Sequence, residues 1–260
     1  MRRFKVILEY DGTAFHGFQK QKNSVAVQNV LEEKLAILLR KPTMVEGSSR
    51  TDTGVHARGQ VVVFNVDDDK KTPDAILRGM NGLLPQSVRA REIAEVPRVF
   101  DPRRDAIEKS YRYTWYNHPV ASPFWRRYSW HSHEALNVGS MNHAAGLLVG
   151  EHDFTSFRAA GCSAKTPIRR ILACKVVEDK ERVQLRITGQ AFLHQMVRII
   201  AGTLFDTGTG KLKALDMGPI LAGKSRKLAG KTAPAEGLVL WEVKYGEIPR
   251  PGRKVLTPRA

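Results

Sequence analysis

Reactive residue types concentrate between positions 47 and 60, in the run Gly47-Ser-Ser-Arg-Thr-Asp52-Thr-Gly-Val-His56-Ala-Arg58-Gly-Gln60. One carboxylate, Asp52, is bordered there by glycines at 47, 54 and 59 and by the guanidinium groups of Arg50 and Arg58. Glycines let a backbone come close to a ligand, and the guanidinium fork matches phosphate oxygens. An ionised aspartate so placed can serve as a base or a nucleophile. On spacing alone the plainer account is an Asx-turn, in which the carboxylate only closes its own loop. His56 reads as a structural residue of the loop, because no third ligand is spaced to join it and Asp52 around a metal.

Two other features invite chemistry and do not sustain it. Cys162 and Cys174 are the only cysteines, too few for a disulfide framework and without the CxxC spacing of zinc or redox sites. Gly218-Pro-Ile-Leu-Ala-Gly-Lys-Ser225 fits the phosphate-binding loop pattern letter for letter. That cradle needs a buried strand before it and a helix starting at its lysine. Instead residues 211–217 read as helix, Pro219 removes a backbone donor inside the would-be cradle, and 224–231 read as a polar loop. Nucleotide binding is not expected there.

The elements that must position Asp52 follow from periodicity. Strands are expected at 4–10, 44–49, 60–66 and 88–96, with helices at 25–40 and at 73–82, where Pro73 opens the helix. The second half opens with 109–117, where Tyr111, Tyr113 and Trp115 alternate with polar residues as in a strand. A helix is expected at 141–149, strands at 168–177 and 182–188 around a turn at 178–181, a helix at 192–205 and a last strand at 238–243. Hairpin-like pairs mixed with helices predict an α+β fold with mainly antiparallel sheet. The expected division is a lobe over 1–104 carrying the aspartate loop, a lobe over 105–246, and a flexible basic tail over 247–260.

Charge points to the partner. Forty-two Lys and Arg oppose 26 Asp and Glu, a net of +16, and the excess is spread over clusters such as Arg103/Arg104, Arg126/Arg127 and Lys165/Arg169/Arg170. A folded basic surface favours a polyanion, because each cation seated on a phosphate releases condensed counterions. The apolar patch near the start is cut short by Glu9 and Asp11, so it reads as a strand of a cytoplasmic protein and not as a signal peptide; no long apolar run argues for a membrane span.

Arg50-Thr-Asp-Thr-Gly-Val-His-Ala57 resembles the signature loop of the TruA family of tRNA pseudouridine synthases. Further family-like segments follow in order: Glu9-Tyr-Asp-Gly12, Gly17-Phe-Gln19, Phe100-Asp-Pro-Arg103, Lys109-Ser-Tyr-Arg-Tyr113, His152-Asp-Phe-Thr-Ser-Phe-Arg158, Phe192-Leu-His-Gln-Met-Val-Arg198 and Ala235-Glu-Gly-Leu238. The resemblance spans about residues 4 to 245. It implies two α/β lobes sharing a central sheet, and a homodimer, free of cofactor and metal, that isomerises uridine at tRNA positions 38, 39 and 40. It makes Asp52 the catalytic carboxylate, Tyr111 the residue packed on the target uracil, and Arg198 the ionic partner of the aspartate. RNA contact is assigned to Phe100, Asp101, Pro102, Arg103 and Arg104 and to Gly161, Cys162, Ser163, Ala164 and Lys165, with Arg50 and Arg58 added from the loop. Thr53, Asp101, Pro102 and Arg104 depart from the usual family residues. The alternatives are a synthase of this fold acting on another RNA site and a non-catalytic RNA-binding protein.

Overall fold

The computed structural model describes residues 1–67 and 71–246; the expected tail over 247–260 lies outside the described residues. The chain divides into two compact units, one made of 1–53, 57–107 and the segment from Val243, the other of Gly54–His56 and Glu108–Glu242.

In the first unit, β1 (Arg2–Tyr10) lies between β3 (His56–Val66) and β4 (Val88–Val96), antiparallel to both, with Val6 opposite Val62 on one side and Ile93 on the other. Its alternation buries Phe4, Val6 and Leu8 completely and Tyr10 almost so, as a half-buried strand requires. The short β2 (Glu46–Gly47) adds to β3. Helix α1 (Val27–Leu39) turns Val27, Leu31 and Leu35 inward, and α2 (Pro73–Leu83) starts from Thr72, whose side chain accepts from the Ala75 amide.

The second unit orders its strands β10 (Leu238–Tyr245), β5 (Ala106–Asn117), β9 (Arg182–Gly189), β8 (Ile168–Asp179) and β7 (Gly150–Asp153), with β6 (Trp130–Ser132) alongside β5 in the parallel sense. Tyr113, Trp115, Leu185 and Ile187 share one core with α3 (Val138–Gly146), α4 (Met196–Gly208) and α5 (Met217–Ala222). The α+β class with mainly antiparallel pairing is the one expected. Among the described residues no helix is long and apolar enough to cross a membrane.

Several boundaries differ from the sequence expectation for local reasons. Only Glu46–Gly47 of the expected strand at 44–49 pairs, because Ser48 and Ser49 turn into a buried polar cluster. The helix expected from 192 begins at Met196, after Gln195 takes a left-handed φ of 58°. The helix expected at 211–217 is a 3-10 turn at Ala214–Asp216, closed by the Asp216 carboxylate on the Lys213 amide, followed by α5. Pro219 falls in the first turn of α5, where a missing N–H costs no helical bond. The phosphate-loop look-alike is therefore helix and cap; Lys224 pairs with Asp153 at 3.3 Å and the Ser225 amide donates to Ser156.

Close packing of α4 depends on Gly202, where a Cβ would stand 1.7 Å from the Lys231 carbonyl oxygen. Gly202→Ala is expected to lower unfolding free energy by about 3 kcal/mol or more through overpacking, read as a fall in the urea midpoint.

Candidate active site

The Asp52 loop is built on a buried hydrogen-bond node at the end of β3. Gln60 is fully buried, and its Oε1 accepts from the Ser48 hydroxyl at 2.8 Å and from the Ser49 amide at 3.2 Å. Its Nε2 donates to the Ser49 carbonyl at 2.7 Å and faces the Tyr10 hydroxyl at 3.5 Å. Tyr10 in turn shares a 2.8 Å bond with the Thr51 hydroxyl. Residues 48, 49 and 51 are thereby fixed from beneath, and Asp52 follows on a half-buried position at the surface. From the other side Gly17, at φ +85°, touches the loop backbone: a Cβ there would come 2.7 Å from the Thr51 carbonyl oxygen and 3.3 Å from the Asp52 carbonyl carbon. The Phe18 amide donates to that same Thr51 oxygen at 3.1 Å. Arg50 and Arg58 are exposed on either side in sequence.

The node reaches the 100–104 segment through the last residue of β10. The Tyr245 phenol meets the Ser48 hydroxyl, donates to the Pro102 carbonyl at 2.7 Å and packs its ring 5.0 Å from that of Phe100. Burial pushes its acidity far down, so it remains a neutral donor. Arg3, only 7% exposed, donates from Nε to the Phe100 carbonyl and pairs with Glu46. Phe100 and Pro102 are thus buried, and Asp101 spends its Oδ1 on the amides of Arg103 and Arg104 at 2.8 and 2.9 Å. Burial raises the Asp101 carboxyl, but those two backbone bonds outweigh it and hold it below the usual range. What this segment presents outward is the pair of guanidinium groups at 103 and 104.

The second unit holds the remaining candidates. Val55 enters its core, and His56 is buried, bonded from Nε2 to the Glu236 carbonyl oxygen at 3.2 Å with its ring 5.0 Å from Tyr128. Tyr111 is half-buried on β5 and meets Phe192 edge to face at 5.0 Å, whereas Tyr113 is fully buried and donates to the Pro234 carbonyl at 3.0 Å. Arg198 on α4 donates from Nε to the Ala233 carbonyl at 2.8 Å, and its own carbonyl accepts from the Ala233 amide, which fixes the stem of the side chain. In the 161–165 segment Gly161, Ser163 and Lys165 are exposed, while Cys162 and Ala164 are half-buried and their carbonyls accept from Arg158. Among the described residues no three of His, Cys, Asp and Glu gather as a metal-ligand set.

Sequence reasoning passed over Tyr10, Ser48, Gln60 and Tyr245. A signal was available for two of them: Tyr10 falls on the same face of β1 as Phe4, Val6 and Leu8, and Gln60 heads the apolar run Val61–Phe64. Polar groups placed on apolar faces call for buried partners.

A family described as tRNA pseudouridine synthase matches residues 6–103 and 144–246. The chain is 46% identical over 245 residues to the tRNA pseudouridine synthase A of Geotalea daltonii, covering 94% of this chain and all of that one. It is 44% identical to the protein of that name from Syntrophotalea carbinolica, covering 93% and 95% of the two chains, and 44% identical to that from Ruminiclostridium cellulolyticum, covering 94% and 100%.

Two outcomes follow from the geometry. Gly17→Ala must push back the Thr51–Asp52 backbone, and since a misplacement of about 1 Å can cost about 10²-fold in rate, turnover is expected to fall by about that factor while the far-ultraviolet circular dichroism stays native. For the thiols, burial raises Cys162, but bonds from the Ala164 and His194 backbone and from Arg158 outweigh it and leave the thiol lowered, whereas burial pushes Cys174 up to about 12. Because the thiolate is the reactive form, iodoacetamide at pH 7 to 8 is expected to label Cys162 in the folded protein and to spare Cys174 until denaturant is added, read by peptide mass.

Proposed function

We propose, from the premise that this chain belongs to the tRNA pseudouridine synthase family, that it converts uridine to pseudouridine at positions 38, 39 and 40 of the tRNA anticodon stem-loop. The observation that carries this reading is Asp52 in a loop whose preceding residues are fixed by Gln60 on Ser49 and Tyr10 on Thr51, and whose backbone Gly17 approaches closely.

The reaction breaks the N1–C1′ glycosidic bond and forms a C5–C1′ bond; C5 loses its proton and N1 ends protonated. Nothing is oxidised or reduced, so no cofactor is required by the balance. The target base must first leave the helical stack, since its reacting atoms are covered there. Asp52 then acts in its ionised form, by adding to the sugar or the base or by taking a proton from the ribose. Tyr111 offers a ring for the uracil to pack on, and its edge contact with Phe192 sets that ring's angle. Arg198, by its match to the family's arginine, is the proposed ionic partner of the aspartate.

Binding precedes chemistry. Arg103 and Arg104, displayed by the Asp101 turn, and Lys165 and the loop arginines Arg50 and Arg58 supply phosphate contacts. Such contacts position a stem-loop without reading its bases. A homodimer in the cytoplasm is the assembly and place that fit a tRNA-modifying enzyme of this family.

The test is incubation of the purified protein with an unmodified tRNA bearing uridines at 38 to 40, followed by mapping of pseudouridine. Asp52→Ala is expected to lower the rate by at least about 10³-fold while tRNA affinity stays within about twofold. Native protein that binds the tRNA and leaves all three uridines unchanged would sink the enzymatic reading.

A further inference from the structure

Between β5 and β6, residues 118–129 form a surface loop whose only part in the site described above is the Tyr128 ring against His56. Its own bonds hold it: the Arg126 amide donates to the Ser122 carbonyl at 3.1 Å, the Tyr128 amide to the Trp125 carbonyl at 2.9 Å, and the Ser129 hydroxyl to that same carbonyl at 2.8 Å. The Phe124 amide donates to the Ser122 hydroxyl at 3.3 Å, and Pro123 limits the backbone between them. Two ring contacts tie the loop to its own unit. Arg182 lies over Trp125 at 4.9 Å, and Tyr128 packs against His56 at 5.0 Å.

A loop so bonded does not expose a side chain by fraying. Nonetheless Phe124 is 86% exposed and Val120 68% exposed. A phenyl ring displayed in water forgoes the burial that ordinarily stabilises it, and here Arg126 and Arg127 are exposed directly after it. An aromatic face beside two guanidinium groups is the combination that receives single-stranded nucleic acid: every base has a face to stack, and each phosphate takes a cation. A second protein chain would cover the phenyl ring but would need matching carboxylates for the two arginines, whereas a nucleic acid supplies a base face and phosphates together.

We propose that residues 120–128 form a further tRNA-binding element, in which Phe124 stacks on an unpaired base and Arg126 and Arg127 hold the flanking phosphates. It rests on the tRNA reading above and assigns that substrate a contact outside the loops already named. The element is anchored within its own unit by Tyr128, which packs on His56. A base withdrawn from a helix leaves its neighbours without a stacking partner, and an exposed aromatic ring can replace the lost stack.

Equilibrium binding of unmodified tRNA, measured across a salt series, tests this with Phe124→Ala, Phe124→Trp and the pair Arg126→Gln/Arg127→Gln, each also run in sedimentation velocity. Phe124→Ala is expected to weaken binding about tenfold with the salt slope unchanged, and Phe124→Trp to restore it. The paired glutamine variant is expected to reduce the slope of log affinity against log salt by about 1.4 to 1.8, two phosphates at about 0.7 to 0.9 each. Sedimentation should match the native protein in every case. The proposal is overturned if affinity and slope are native in all three, or if Phe124→Ala alters the sedimenting mass, which would make the ring a contact between copies. Native protein that binds tRNA without forming pseudouridine would overturn the enzymatic reading and leave this one standing; pseudouridine formation with native affinity in Phe124→Ala would overturn this one alone.

Discussion

The Gln60 carboxamide is the interaction on which the Asp52 loop depends. Both of its ends are committed, to Ser48 and Ser49 through Oε1 and to Ser49 and Tyr10 through Nε2, in a position closed to water. Each donor or acceptor left unmet in such a place costs about 1–3 kcal/mol, so the segment entering the loop has one conformation far below any other. Tyr10 transmits that constraint to Thr51, and Gly17 closes the loop from outside by permitting a contact that any Cβ would forbid. In the role proposed for it, the Asp52 carboxylate would gain from this preorganisation.

The same network extends to the 100–104 segment, for which RNA contact is proposed. Ser48 bears on both Gln60 and Tyr245, and Tyr245 donates to Pro102, so the segment displaying Arg103 and Arg104 shares its support with the catalytic loop. Asp101 illustrates how charge is divided in this protein. Its Oδ1 accepts from two backbone amides while its Oδ2 lies 3.6 Å from Arg104 Nε, and both neighbouring guanidinium groups remain exposed. A high net positive charge becomes useful only when local geometry decides which cations are displayed.

Much of this was legible in the sequence, and the reasons are physical. Alternation located β1 and β5 because one face of each meets a core, whereas Asp52 is singled out only through the resemblance of the Arg50–Ala57 octapeptide to the family's loop, since spacing alone favours an Asx-turn. The node beneath it was not legible, since Ser48 and Ser49 look like ordinary strand residues until their bonds to Gln60 are seen. Nor could periodicity place the start of α4, which depends on the left-handed Gln195, or find β6 and β7, of three and four residues, too short to show alternation. The display of Phe124 was not legible either, since it depends on the turn bonds of its loop.

Tyr10→Phe removes one hydroxyl from the node and leaves the strand's apolar packing intact, so the single-turnover rate of pseudouridine formation at saturating tRNA tests the account most directly. A fall of roughly three- to tenfold, the worth of one hydrogen bond, with tRNA affinity unchanged, is the predicted result. A native rate, or a loss confined to tRNA affinity, would contradict the claim that the buried node positions the carboxylate.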